Sequence, residues 1–107
     1  MNSFKYLATL AIIVSFAAPA HAETVTVSQK GRQFSTDAIT VKKGDQVMFV
    51  NDDTVPHNAV SKSAGNEFDL GYQQPGVSTP VTFDSLGDVS VICTIHPKMK
   101  LTIHVTE

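Results

Sequence analysis

Between Glu23 and Glu107 no stretch keeps an apolar period of 3.6 residues long enough for a helix; short alternating runs take its place, broken by Gly, Asp, Asn and Pro. Such a chain can make strands and turns and little else. Thr24-Val25-Thr26-Val27-Ser28 alternates, as do Ile39 and Val41, and after a Lys43-Gly44-Asp45 turn Val47-Met48-Phe49-Val50 reads as a strand covered on both faces. Ala59-Val60-Ser61 is a further short strand. Residues 62–79, rich in Gly, Ser, Gln and Pro, are expected to form a long irregular connection with one helical turn. Val81 and Phe83 alternate, Leu86-Gly87-Asp88 turns the chain, and Val89-Ser90-Val91-Ile92-Cys93 reads as a buried strand. In the last segment Leu101, Ile103 and Val105 face one way and Thr102, His104 and Thr106 the other. Short strands at this spacing predict an all-β fold, a small Greek-key β-sandwich or barrel, with no repeat and no second domain.

The beginning of the chain has a different character. Lys5 in a polar start, an apolar run from Leu7 to Ala18 and then Ala20-His21-Ala22 predict a secretory signal peptide over residues 1–22, cut before Glu23. The apolar run falls short of the roughly 20 residues that span a bilayer as a helix, so no membrane span is expected in the mature chain. Residues 23–107 are then one exported, periplasmic domain, expected to be a monomer. A domain of that size buries only a modest fraction of its unfolded surface, and exported ones are commonly stapled by disulfides. Cys93, however, is the only cysteine. An odd cysteine in such a chain implies intermolecular pairing, a reactive thiol or a metal, and the metal is favoured by what surrounds it. The formal net charge is −2 and drops by one more when Lys5 leaves. Basic residues are dispersed, with Lys42-Lys43 and Lys98/Lys100 the only groupings, which excludes the basic stripe that nucleic acid requires.

The segment Cys93-Thr94-Ile95-His96-Pro97-Lys98-Met99 carries a thiolate, an imidazole and a thioether at even spacing, and His57 in Pro56-His57-Asn58 offers a second imidazole. Singly, each has an ordinary explanation: a small buried hydrophobe, a core filler, a loop histidine. The combination is less ordinary. A strand ending on Cys93, a reversal helped by Pro97 and a new strand after Met99 would turn all three side chains toward one point, with His57 closing the site from another loop. A soft thiolate, two imidazoles and one weak thioether match the trigonal His2Cys site with a long axial Met that holds one type 1 copper ion for one-electron transfer. Structural zinc does not ordinarily use thioethers, and hard cations want oxygen. A Cys93 nucleophile with His57 or His96 as its base would leave Met99 and Pro97 without a role, and so small a domain has little room for a substrate cleft. A redox dithiol is excluded because a second cysteine is absent.

These residues resemble those of the small blue copper proteins, the cupredoxins. The short two-and-two ligand-loop spacing is nearest to that of amicyanin, plastocyanin and pseudoazurin carrying longer loops. Ile39-Thr40-Val41-Lys42-Lys43-Gly44-Asp45-Gln46-Val47 followed by Asn51-Asp52 is also similar to the family's strand, Gly-Asp turn and strand leading to the first His, so the resemblance covers nearly the whole mature chain. It implies that His57, Cys93 and His96 are strong equatorial ligands and Met99 the weak axial one. It also implies that Asn58 bridges the two ligand loops through Thr94 and the thiolate, orienting the ligands. Redox partner proteins would dock on the apolar patch around the exposed edge of His96, here Ile95, Pro97 and Lys98.

The chain departs from the family at Ile95, where amicyanin-like loops often have Pro, at Lys98, where they often have an aromatic, and at Val91 and Ile92, where many relatives place an aromatic before the Cys. Copper binding tolerates these changes, whereas the docking patch gains a positive charge. His104 has no match in the ligand set and reads as a surface histidine; His21 leaves with the signal. A copper oxidase or nitrite reductase needs a further His-rich centre, so a carrier is expected rather than an enzyme. The expected function is a periplasmic type 1 copper electron carrier, the alternative being a copper chaperone or sensor that binds Cu(I) with the same ligands.

Overall fold

Alternating apolar residues make this chain a β-sandwich, seen in a computed structural model that describes residues 22–107. Apart from Ala22, the expected signal peptide lies outside the described residues. The strands are β1 (Thr24–Lys30), β2 (Gln33–Phe34), β3 (Ala38–Lys42), β4 (Gln46–Asn51), β5 (Val60–Ser61), β6 (Phe68–Asp69), β7 (Ser78–Thr82), β8 (Gly87–Ile92) and β9 (Lys100–Thr106). They form two sheets, in the orders β2-β1-β4-β7 and β3-β9-β8-β5-β6. β1 runs parallel to β4 and β3 parallel to β9, so both sheets are mixed. Among the described residues no helix is long and apolar enough to cross a membrane.

The core is what the period-2 pattern dictates. Val27, Val47 and Phe49 from one sheet meet Val41, Val89, Val91, Leu101, Ile103 and Val105 from the other, all buried. Phe49 lies with its ring 6.4 Å from Phe34 and 5.8 Å from Phe68, and Phe68 lies 5.9 Å from Phe83. Such tilted and edge-on pairs add about 0.5–1.5 kcal/mol each beyond the area they bury. At the end of the sandwich carrying the Gly-Asp turn, the buried carboxylate of Asp45 accepts the backbone N–H groups of Glu23 at 3.0 Å and Lys42 at 2.8 Å. These two hydrogen bonds, Glu23 foremost, hold its pKa below the ordinary carboxylate value.

Several expectations need correction. β4 is not equally covered on both faces: Val47, Phe49 and Asn51 are buried while Gln46, Met48 and Val50 are only half-buried, because a sandwich covers one face of each sheet. Residues 62–79 contain no helical turn; they include β6, a bridge between His57 and Gln73, and the start of β7. Phe68 organises that segment by packing between Phe49 and Phe83, a tertiary contact invisible to local pattern. β7 includes Pro80, which an edge strand tolerates because its missing N–H need not serve a ladder. Gly87 and Asp88 belong to β8 rather than to a turn, and Cys93 lies just past the strand's end.

Candidate metal centre

The register of β5 against β8 places the site. Val60 pairs with Ile92 and Ser61 with Val91 in an antiparallel ladder. Continuing outward past the strand ends sets Asn58 opposite Thr94 and brings His57 and Cys93 to the same end of the sandwich. The contact is made: Thr94 N–H donates to Asn58 Oδ1 at 2.8 Å, and Asn58 Nδ2 donates to Thr94 Oγ1 at 2.6 Å. Asn58 thus clips the two loops together through Thr94. β8 and β9 form an antiparallel pair whose connection is the segment 93–99. That connection is tight: Met99 N–H donates to the His96 carbonyl at 2.9 Å and Cys93 N–H to the Met99 carbonyl at 3.3 Å.

Three of the four expected ligands present their donor atoms to one point. His57 Nδ1 and His96 Nδ1 each lie 3.9 Å from Cys93 Sγ, and 3.1 Å from one another. Donors about 2.0–2.3 Å from a metal in a trigonal plane lie roughly 3.5–3.8 Å apart, so this triangle fits one ion with little adjustment. His57 and Cys93 are fully buried and His96 half-buried. Met99 is also buried, in the same apolar cluster as Cys93. Burial foremost, with the neighbouring His57 ring and the Arg32 guanidinium acting in the same direction, pushes the His96 pKa below its ordinary value, which favours the neutral, ligating ring.

The loop before His57 contains what sequence reasoning missed. His57 Nε2–H donates to Asp53 Oδ2 at 2.9 Å, which leaves Nδ1 as the lone-pair nitrogen aimed at the centre. Asp53 also accepts the backbone N–H of Arg32 at 3.0 Å and of Thr54 at 2.8 Å. The Arg32 hydrogen bond first, then those of His57 and Thr54, holds its carboxyl far below the usual carboxylate range. Asn51 shapes the same loop, donating to the carbonyls of Val55 at 3.0 Å and Gln73 at 2.8 Å and accepting Asp53 N–H at 2.9 Å. Gln73 and His57 exchange backbone hydrogen bonds at 2.7 and 3.1 Å, so His57 is fixed on both sides. A carboxylate four residues before a suspected ligand was the available signal for Asp53; Arg32 and Gln73, remote in sequence, offered none.

Around the exposed edge of His96, Ile95, Pro97 and Lys98 line a shallow hollow of about 300 Å³ together with Arg32. His104 is elsewhere, on the outer face of its sheet, 2.6 Å from Asp88.

Residues 21–106 match the copper binding proteins of the plastocyanin/azurin family. The chain belongs to that family. Amicyanin from Paracoccus versutus is 30% identical over 87 residues, covering 78% of this chain and 66% of the amicyanin, just under two thirds of its length. Among solved structures, a Cu-containing nitrite reductase from Thermus scotoductus SA-01 superposes with a TM-score of 0.73 at 30% identity, over 78% of this chain but only 22% of the reductase. A purple cupredoxin from Nitrosopumilus maritimus superposes with a TM-score of 0.68 at 20% identity, over 77% of this chain and 99% of its own, a likeness of fold alone. Copper is therefore the cofactor of this cupredoxin, and the soft donor set converging at its loop end is the place built for it.

Proposed function

We propose that this cupredoxin is an exported, periplasmic electron carrier that takes up and releases one electron at a type 1 copper held by His57, Cys93, His96 and, weakly, Met99. When bound, the copper supplies a Cu(II)/Cu(I) couple. The rest is done by the chain. Cys93 and Met99 flank a short connection between two core strands, His57 is locked between Asp53 and Gln73, and Asn58 ties one loop to the other. Ligands held so firmly need little rearrangement between oxidation states, which keeps electron transfer fast.

The observation that carries this reading is the unequal burial of the donors. His57 and Cys93 are fully enclosed and only His96 reaches the surface, which suits an electron leaving through a ring edge better than a metal handed to another protein. Partner proteins dock, on this reading, over Ile95, Pro97 and Lys98.

Metal exchange tests it. The copper-loaded protein is cycled repeatedly between oxidation states and then challenged with a competing Cu(I) chelator. A carrier keeps its copper through the cycles and surrenders it slowly; rapid, stoichiometric surrender favours the chaperone reading.

A further inference from the structure

We infer that the hollow over His96 is an interface for an acidic face of a partner protein, framed by Arg32 and Lys98. The inference rests on the electron-carrier reading and adds the partner's chemistry to it. Arg32 is brought there by the β1–β2 turn. Gly31 and Arg32 both have positive φ, 60° and 56°, the combination that closes a tight hairpin between antiparallel strands. Arg32 bears the left-handed conformation although it is not a glycine, and its N–H is fastened to Asp53 at 3.0 Å. The turn is therefore fixed to the loop that carries His57, and the guanidinium is delivered to the rim of the hollow beside Ile95, His96, Pro97 and Lys98.

The charge distribution selects the partner. Arg32 and Lys98 are both exposed, and both line the hollow over His96. Asp53, a nearby carboxylate, is spent on three donors and turned inward. Lys100 lies in the adjoining hollow with Lys98, where Asp37 offsets part of the charge. The chain as a whole carries −2. A local pair of cations on an otherwise acidic molecule draws an acidic partner to this end and repels it from the rest, which orients the encounter as well as speeding it. Ile95 and Pro97 supply a small apolar centre between the cations, the scale of contact used by brief redox encounters rather than stable complexes.

The test uses copper-loaded protein in the Cu(I) form and one acceptor in two charge states: mitochondrial cytochrome c with native lysines, which is basic, and the same cytochrome with its lysines maleylated, which is acidic. Second-order electron-transfer rates are measured by stopped flow at low and high ionic strength. The maleylated acceptor should react faster, with a rate that falls as salt rises. Arg32→Glu and Lys98→Glu should each slow it by about tenfold at low salt and much less at high salt. Arg32→Lys should retain the rate, and Lys43→Glu, an equal charge change at the Gly-Asp turn, should leave it unaltered. Absorption should be the same in all variants, because Asp53 is held through the Arg32 backbone, and rates are compared at equal driving force using each variant's measured reduction potential. A faster reaction with the basic acceptor, or an Arg32→Glu effect no larger than that of Lys43→Glu, overturns the proposal. Reversible cycling with ferricyanide and ascorbate separates the two failures. If the copper cycles but the charge variants are indifferent, only the docking proposal falls; if it does not cycle, the carrier reading and this proposal fall together.

Discussion

Asp53 accepts the Nε2–H of His57 across 2.9 Å, while the opposite nitrogen of the same ring points at Cys93 and His96. An anion is thus coupled through one imidazole to the metal position. It makes His57 a stronger donor and stabilises the more highly charged oxidation state.

Asp53→Asn keeps a hydrogen-bond acceptor for His57 but removes the charge. Cu(II) binding should weaken by about tenfold, the lower end of what such outer contacts are worth, with Cu(I) binding little altered. For a one-electron couple that raises the reduction potential by about 59 mV. Spectroelectrochemistry on the two proteins checks the shift, and an unchanged or lowered potential contradicts the role given to Asp53.

Asn58→Ala removes the clip between the ligand loops, leaving the Thr94 backbone N–H without its partner at 2.8 Å. The cost to the copper-free protein should be about 1–3 kcal/mol, read from denaturant unfolding. Copper binding should weaken as well, since the loops are then free to separate.

Stability should depend on pH through Asp45, which lies at the Gly-Asp turn, away from the copper site. Its folded-state pKa is depressed by hydrogen bonds from Glu23 and Lys42, so its contribution is fully present above the unfolded value of about 3.9 and is lost as pH falls through the lower folded value. Urea midpoints measured from pH 6 down to pH 2 should fall less steeply in Asp45→Asn than in the parent, the two curves converging at the acid end.

Copper should stabilise the fold. A ligand held at a thousand times its dissociation constant adds about 4 kcal/mol, a large part of the net stability of a small domain. Calorimetry should show a clearly raised Tm on loading, and His57→Ala should lose most of that rise. Equal melting of loaded and copper-free protein counts against a site formed in the native state.

The fold and the centre of the site were legible to different degrees, for physical reasons. Leu101, Ile103 and Val105 alternate because one face of β9 lies on the core, and a period of two survives in any sequence that obeys it. The segment Cys93 to Met99 was readable because its ligands are close in the chain, so their geometry is nearly local. β2 and β6, two residues each, are too short to show a period, and Phe68 is placed by contacts with Phe49 and Phe83. Gln73 and Arg32 reach the site from elements whose approach is decided only when the two sheets close. Asp53 stood within reach of the reading, but its partner could be known only once the loop was seen to curl back on His57.

The central claim is that Cys93, with His57 and His96, holds copper through a short thiolate bond, and the visible absorption of the Cu(II)-loaded protein tests it most directly. An intense charge-transfer band is expected, one that bleaches on adding ascorbate, returns on reoxidation and is absent from Cys93→Ser. A Cu(II) complex that is pale, or a Cys93→Ser variant that keeps the colour, contradicts the account.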